Sequence, residues 1–368
     1  MIYPLLPAFV AGVLGGGPLV LGLIEGVAEA TSSLLKIVSG WLTDRSGRRK
    51  PLVLGGYALS GCARPLIGAA AGWPFVLACR FADRIGKGLR TSPRDALIAD
   101  WVPEGRRGLA YGFHRAMDHF GAMLGPLLAA ALLAAGFGYR AVFFFAGVPA
   151  AAVIVLLLVA VREKNASGAA VPTRSAAPAA PLPARRAGIL LGAVLLQALG
   201  LPADVLLLQR LSVAGVSTLV LALTWSGHSL VRSASTLGAG ALADRWPAAR
   251  IVVLGWLLRA ATLALFAVPM SQGAAIALLL VYGGVAGLTE PAEKAFVATA
   301  VGRRTRGRAF GLYHATIGIG ALPASVLFGA LWETAGLAAA FGAAAGLAGA
   351  AAVLLALAGR RADPAREP

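Results

Sequence analysis

Two long apolar runs flank one highly charged turn, Gly40-Trp-Leu-Thr-Asp44-Arg45-Ser-Gly47-Arg48-Arg49-Lys50. Two hundred residues later the chain repeats the start of this turn as Gly240-Ala-Leu242-Ala-Asp244-Arg245. Glycine, leucine, aspartate and arginine thus recur at the same spacing, again at the end of an apolar run. A charged turn that repeats at a fixed distance indicates two similar halves, and the rest of the sequence can be placed relative to these two turns.

The composition is that of a membrane protein. Of the 368 residues, 58% are hydrophobic and only 13% are charged, and the mean hydropathy is +0.78. Soluble domains carry about 25% charged residues. A net charge of +17 would favour a nucleic-acid partner in a soluble protein. Here the basic residues cluster at alternate ends of apolar runs, as in cytoplasmic loops, so we expect the lipid bilayer and not nucleic acid as the partner.

The apolar runs predict an all-α integral membrane protein with twelve spans in two six-helix bundles. The run over residues 1–13 is too short to cross the hydrocarbon, so we interpret it as the second part of span 1, truncated at its N-terminal side; an interfacial segment is the alternative. The other predicted spans cover residues 18–41, 51–71, 73–98, 108–134, 140–161, 187–211, 216–242, 250–268, 273–298, 309–332 and 337–358.

The spans divide the chain into an N-terminal bundle (1–161), an Ala- and Pro-rich linker (162–186), a C-terminal bundle (187–359) and a basic tail (360–368). Nearly all loop arginines fall on the side of the linker, and only Arg140 and Arg210 fall on the other. By the positive-inside rule, the linker and both termini are cytoplasmic, in the inner (plasma) membrane. The halves then share one orientation, which predicts a pseudo-two-fold axis along the membrane normal.

Charged residues on one face of span 4 are the strongest candidates for chemistry. Arg80, Asp83 and Arg84 lie in the middle third of that span. A charge there costs about 2.5–3.5 kcal/mol on insertion scales, so these groups must face protein or a water-filled cavity. Glu25 and Glu29 share one face of span 2, and we expect Glu29 to pair with Arg84 or Arg80. A structural salt bridge and a proton-carrying site both remain open.

Histidines and small residues supply further candidates. Histidine titrates near neutral pH, so Asp118 beside His119 in span 5 is a candidate proton relay. In span 8, His228 and Arg232 stand four residues apart near mid-depth and are expected to face the opposite half. Span 5 also holds small residues that would let helix backbones approach closely and a proline that would bend the helix: Gly121, Gly125 and Pro126. No spacing demands a metal ion or another cofactor.

These motifs resemble those of the major facilitator superfamily (MFS), over essentially the whole chain. Its loop 2–3 signature, glycine-x-leucine-x-aspartate-arginine-x-glycine-arginine-arginine, is met at residues 40–49. Its helix 4 signature is met at Arg80-Phe81 and Gly86-Lys87-Gly88, with Asp83-Arg84 where glutamine-glycine is usual. Its helix 5 signature is met at 121–126, with alanines replacing the following glycines. The run over residues 83–99 resembles a largely uncharacterised prokaryotic branch.

The resemblance implies secondary active transport of a small solute by alternating access, in a protein expected to be a monomer and to use protons. Efflux by antiport leads, because the helix 5 signature is associated with exporters; uptake by symport follows. It implies gating roles for Gly40, Asp44, Arg45, Gly47, Arg48, Gly240, Asp244, Arg245, Gly121, Gly125 and Pro126. The expected cavity residues are Glu25, Glu29, Arg80, Asp83, Arg84, Asp118, His119, His228 and Arg232.

Two other classes of function rank below transport. An integral membrane enzyme acting on a lipid-borne substrate would need a catalytic cluster at one membrane face, whereas the polar residues here recur at matching depths in both halves. A passive channel would not need two repeated gate turns. The basic stripe of span 4 favours an anionic or zwitterionic solute, but Glu25, Glu29 and Asp118 would equally suit a cation.

Overall fold

The computed structural model describes residues 2–46, 49–101, 107–160, 184–243, 246–300 and 306–360, and all regular structure in these ranges is helical. The first half begins with a 3-10 turn (Tyr3–Leu5). Its helices are α1 (Leu6–Gly12), α2 (Pro18–Ser46), α3 (Lys50–Leu66, continued by a 3-10 turn, Ile67–Ala69), α4 (Trp73–Trp101), α5 (Arg107–Ala134), α6 (Tyr139–Phe145) and α7 (Gly147–Ala160). The second half holds α8 (Ala184–Leu199), α9 (Asp204–Val213), α10 (Thr218–Ala243), α11 (Ala248–Phe266), α12 (Gln272–Ala300) and α13 (Arg306–Arg360).

Seven helical stretches in the described ranges are long and apolar enough to cross a membrane: Pro18–Ser39, Lys50–Ala69, Tyr139–Ala160, Gly188–Val213, Ala248–Phe266, Gln272–Glu293 and Tyr313–Leu357. The last stretch contains two predicted spans, which Gly336 separates by adopting φ 87° inside α13. Glycine alone takes this conformation without a steric penalty. The helical fold is confirmed, and the full count of twelve spans stays a prediction.

Span 7 was predicted as one continuous helix, and this is wrong. The helix stops at Leu199 and restarts at Asp204. Pro202 has no backbone N–H and disfavours helix at the residue before it, so the helical hydrogen bonds cannot continue. At Gly200, a Cβ atom would lie only 2.7 Å from the backbone nitrogen of Ala348, so the break also lets α13 pack closely. Asp204 is therefore placed inside a span, at the start of a helix.

Other prolines do not interrupt their helices. Pro93 and Pro291 lie inside α4 and α12, which both run further than predicted. Proline is tolerated within membrane helices because neighbouring groups satisfy the freed carbonyls. Likewise α2 extends to Ser46, so Asp44 and Arg45 belong to the helix rather than to the turn that follows it.

The N-terminal segment packs inside the bundle. Leu5, Leu6, Phe9 and Val10 are fully buried in the main hydrophobic core. The segment contacts α9 and α10 of the second half as well as α2. This burial argues against an interfacial location, and a preceding part of span 1 stays a prediction.

The two halves meet along two helix pairs, α2 with α13 and α5 with α10. Glycines make the first contact close: a Cβ on Gly26 would lie 3.1 Å from the Leu322 Cα, and one on Gly329 would lie 2.5 Å from the Pro18 oxygen. A Cβ on Gly22 would collide with the Ser325 carbonyl oxygen. At the end where α2 begins, the Glu333 carboxylate accepts a hydrogen bond from the Leu19 N–H at 3.0 Å.

The end where α2 begins is called here the opposite end, and the end where α2 finishes, at the charged turn, is the basic end. Both arginines predicted at the opposite end are bound to helix carbonyls. Arg140 donates to the Gly68 oxygen (2.8 Å) at the end of α3. Arg210 donates to the carbonyls of Phe266 (3.1 Å) and Val268 (2.9 Å) at the end of α11. Such carbonyls lack helical partners, and a cation there is favourable.

Candidate functional site

Small residues set the position of α4 between α2 and α3. A Cβ on Gly56 of α3 would lie 2.6 Å from the Gly86 oxygen of α4, so the two backbones touch. On the other side, a Cβ on Gly88 would lie 2.5 Å from the Leu35 Cβ of α2, and Ser39 donates to the Gly88 oxygen at 2.9 Å. The glycines of the helix 4 motif therefore hold α4 close enough for its charged side chains to reach both neighbours.

Five charged side chains from α2, α3 and α4 form what we call the central ion cluster: Glu25, Arg64, Arg80, Asp83 and Arg84. Arg80 donates from Nε (2.8 Å) and Nη2 (2.5 Å) to Oε1 of Glu25, and from Nη1 to Oδ2 of Asp83 (3.2 Å). Arg64 donates to the other Asp83 oxygen at 2.9 Å. Asp83 is 1% exposed and Arg80 6%, so each buried charge has a direct partner.

Arg84 is the least satisfied member of the cluster. Its Nη2 lies 3.6 Å from Oε2 of Glu25, and its buried Nε has no hydrogen-bond partner among the described residues. The expectation that Glu29 pairs directly with Arg80 or Arg84 is wrong, because Glu25 makes both of these contacts. Glu29 lies one turn closer to the basic end, where Lys87 and Arg84 are its main electrostatic neighbours.

Four side chains that we call the aromatic bridge, Tyr3, Trp225, His228 and Tyr282, connect this cluster to the second half. The Arg80 guanidinium lies 5.8 Å from the centre of the Tyr3 ring. The Tyr3 ring lies 5.1 Å from Trp225, which stacks on His228 at 4.7 Å and 9°. Tyr282 follows 6.4 Å beyond His228. The bridge thus crosses the boundary between the halves at the contact of Tyr3 with Trp225.

His228 and Arg232 pack within their own half rather than face the opposite one as predicted. His228 Nδ1 lies 3.0 Å from the Leu279 carbonyl of α12, so Nδ1 must carry the proton and donate it. Nε2 of the neutral ring is then an acceptor, and it has no partner in the described part of the chain. Arg232 donates to Glu290 at 3.1 Å. The opposite half is reached through Trp225.

Asp118, one of the two residues of the predicted relay in α5, makes no contact with the central ion cluster in the described part of the chain, and the relay itself stays a prediction. Asp118 is 46% exposed and lies 3.6 Å from His114, one turn away on its own helix. Its other electrostatic neighbour is Arg94, near the end of α4. The side chain of His119 lies outside the described residues.

The gating predictions are only partly covered by the structure. Gly47, Arg48, Asp244 and Arg245 lie outside the described residues, as do the side chains of Asp44 and Arg45. At Gly121 no close helix approach exists, because a Cβ there would have open space around it. Pro126 is buried inside α5, which runs on to Ala134.

The model of the Major Facilitator Superfamily matches residues 1–225 and, in a second match, residues 205–368. The chain belongs to the Major Facilitator Superfamily. It is therefore a multi-pass membrane protein of a family of transporters rather than enzymes.

The similar proteins support the MFS fold but do not identify the solute of this chain. The chain is 27% identical to an uncharacterised MFS-type transporter of Methanocaldococcus jannaschii over 338 residues, 90% of this chain and 84% of that one. It is 31% identical to the multidrug resistance protein MdtG of Escherichia coli over 169 residues, 45% and 40% of the two chains. A D-xylose–proton symporter structure superposes with a TM-score of 0.75 at 17% identity, covering 96% and 91%.

Several site residues of this MFS chain were missed by sequence reasoning. Tyr3, Trp225 and Tyr282 are aromatic residues in apolar helices, where packing in the core is the usual role. Arg64 and Asp204 are single charges in otherwise apolar spans, and that isolation was the signal that could have identified them. An open cleft of about 460 Å³ at the opposite end is less suitable as a site, because its charged residue, Arg210, is bound to two carbonyls.

Proposed function

We propose that the chain is a secondary active transporter that moves a small solute across the plasma membrane by alternating access, as a proton-coupled exporter (antiporter). One observation carries the proposal: the aromatic bridge connects the central ion cluster of the first half to the second half, which it reaches at the contact of Tyr3 with Trp225. A solute held there contacts both halves, so rocking of one half against the other would expose it to either side. The groups proposed to hold solute or protons are Glu25, Arg80, Arg84, His228 and Arg232.

The contacts of α2 support a cavity open at the basic end. Over its first half, α2 packs against α13 of the other half, from the Leu19–Glu333 hydrogen bond to the contact of Ser33 with Gly318. Near its end it packs on α4 of its own half, where Ser92 donates to the Lys36 oxygen at 2.9 Å. If the basic end is cytoplasmic, as its arginines predict, this conformation faces inward. Asp44 and Arg45 are then placed where they could latch the closed gate in the other conformation.

Uptake by symport is a second candidate, and the sharing of Glu25 favours it. One carboxylate serves two guanidinium groups, of which Arg84 has the weaker contact. A proton on Glu25 would free Arg84 to bind an anionic group, so proton and solute would bind together. In an antiporter, the solute and the proton instead compete for one group of the protein, so the solute binds to that group only after the group has released its proton.

Transport by purified protein in liposomes tests these alternatives. A library of small solutes is assayed with and without an imposed pH gradient, and the direction in which the gradient drives accumulation separates antiport from symport. Arg84→Ala is expected to lower flux about tenfold or more, because a hydrogen bond to a charged group is worth about 1.5–3 kcal/mol. Arg94→Ala, on the same helix but paired with Asp95 at 3.2 Å, is the matched control and should retain flux. Flux that does not depend on the pH gradient would indicate a channel. An unchanged transport rate in Arg84→Ala would show that the central ion cluster does not take part in transport.

A further inference from the structure

We propose that the site accepts an amphoteric solute, one that carries an anionic and a cationic group, with Arg84 binding the anion and Asp204 the cation. This inference rests on the proposed function, because it takes the region between the two halves as the solute site. It follows from counting which charges in that region are already neutralised by the protein.

On the side of the first half, one positive charge is left over. The central ion cluster contains three arginines and two carboxylates. Asp83 accepts hydrogen bonds from Arg64 and Arg80, and Glu25 Oε1 accepts one from Arg80 Nε at 2.8 Å. Arg84 Nη2 lies 3.6 Å from Glu25 Oε2, and Arg84 Nε has no hydrogen-bond partner in the described part of the chain. The neighbouring Glu29 and Lys87 add one charge of each sign, and Lys36 adds a further positive charge near Glu29. The excess cation is therefore Arg84, and its planar fork suits a carboxylate or a similar oxyanion.

On the side of the second half, one negative charge is left over. Arg232 is neutralised by Glu290 at 3.1 Å. Asp204 makes no ion pair with any residue in the described ranges, although it acts electrostatically on His228, Arg232 and Tyr282. It begins α9 directly after the helix break, and α9 packs against α1 and α2 of the first half and α10 and α12 of the second. Asp204 therefore lies where the halves meet.

The region between these two charges is lined by groups that attract a cationic amine. Tyr3 interacts electrostatically with both Arg84 and Asp204, and its ring contacts Trp225. Aromatic faces attract ammonium groups. His228 is 2% exposed, and its Nε2, which has no partner among the residues that the structure describes, can accept a hydrogen bond from an amine.

A solute of one charge would satisfy only half of this arrangement. An anion on Arg84 alone would leave Asp204 without a partner in the described ranges, and a cation on Asp204 alone would leave Arg84 with only its long contact to Glu25. An uncompensated charge inside a membrane protein is expensive. An amphoteric solute neutralises both in one binding event.

Thermal stabilisation of the purified full chain in detergent tests the proposal. The probes are ω-amino acids of increasing chain length, each compared with the carboxylate that lacks its amine and with the amine that lacks its carboxylate. The unsubstituted protein should be stabilised by amphoteric probes only. Arg84→Gln should prefer the amine and Asp204→Asn the carboxylate, each with an apparent affinity changed by about tenfold or more. Arg84→Lys and Asp204→Glu, which keep the charges, should retain the amphoteric preference.

Three results would overturn the assignment. The first is that single-charge probes stabilise the unsubstituted protein as much as amphoteric probes do. The second is that Arg84→Gln or Asp204→Asn shows the same charge preference as the unsubstituted protein. The third is that no probe changes the thermal stability. If the liposome assay still finds gradient-driven flux that depends on Arg84, transport stands and only the solute class is wrong. If that assay finds no such flux, the proposed function itself fails.

Discussion

Arg80 holds two buried carboxylates on two helices because a guanidinium group presents several N–H donors in one plane. Lysine keeps the charge but offers a single flexible ammonium group, which cannot reach Glu25 and Asp83 in the same geometry. We therefore expect Arg80→Lys to lower the free energy of unfolding by about 1.5–3 kcal/mol, the value of one lost hydrogen bond between charged groups.

Thermal unfolding in detergent measures this difference. Arg94→Lys is the matched control, since among the described residues Arg94 contacts one carboxylate oxygen only, that of the half-exposed Asp95. Equal effects of the two substitutions would show that charge alone matters at position 80.

The residues of the cluster could be predicted only in part from the sequence. Helical periodicity predicts Arg80, Asp83 and Arg84 on one face of span 4. In the structure Arg80 and Arg84 both contact Glu25, and Asp83 contacts Arg80. Whether Glu25 or Glu29 meets Arg80 depends on the rotation and depth of α2 relative to α4. Those are set by tertiary contacts such as Gly88 with Leu35, which no local pattern encodes.

At the scale of the elements, the packing of α2 on α13 depends on glycine. A Cβ at Gly22 would collide with the Ser325 carbonyl, and overpacking of this kind costs about 1–3 kcal/mol. We expect Gly22→Ala to favour the conformation in which the opposite end is open. Gly121→Ala is the control, because a Cβ there meets open space.

Distances between spin labels on the two halves at the opposite end measure that shift. A longer mean distance in Gly22→Ala than in Gly121→Ala is expected. Identical distance distributions would mean that the two helices do not separate there.

Apolar run length predicted the positions of nearly all helices, because crossing a bilayer demands continuous backbone hydrogen bonding. Run length did not predict whether a proline interrupts its helix. Pro93 and Pro291 sit inside continuous helices, whereas Pro202 ends one. The difference lies in the tertiary contacts. Position 200 packs so closely against the backbone of α13 that a side chain would not fit there, and a local sequence window does not show this contact.

At the scale of the whole molecule, rocking should change which side of the membrane reaches the central ion cluster. Cysteines are placed at positions 80, 83 and 84 in a background that lacks the exposed Cys62 and the buried Cys79. A small polar thiol reagent should modify position 84 fastest, since Arg84 is 12% exposed and Asp83 only 1%.

The side of reagent addition provides the control. Modification from one side of the membrane in one conformational state, and from the other side when the gradient is reversed, is the expected pattern. Inert cysteines under both gradients would identify the cluster as a structural strut.

The two arginines at the opposite end bear on how the protein is made. Arg140 lies at the start of α6 and donates to the Gly68 carbonyl at the end of α3, so its partner is synthesised long before it. Arg210 lies in α9 and binds the end of α11, so there the cation is synthesised first and its partners arrive two helices later. In the N-terminal half, the carbonyl acceptor is therefore synthesised before the arginine that donates to it. In the C-terminal half, the arginine is synthesised before its carbonyl acceptors. Arg210 therefore stays without its carbonyl acceptors until α11 has been made. We expect the assembly of the C-terminal half to depend more on the insertion machinery than that of the N-terminal half.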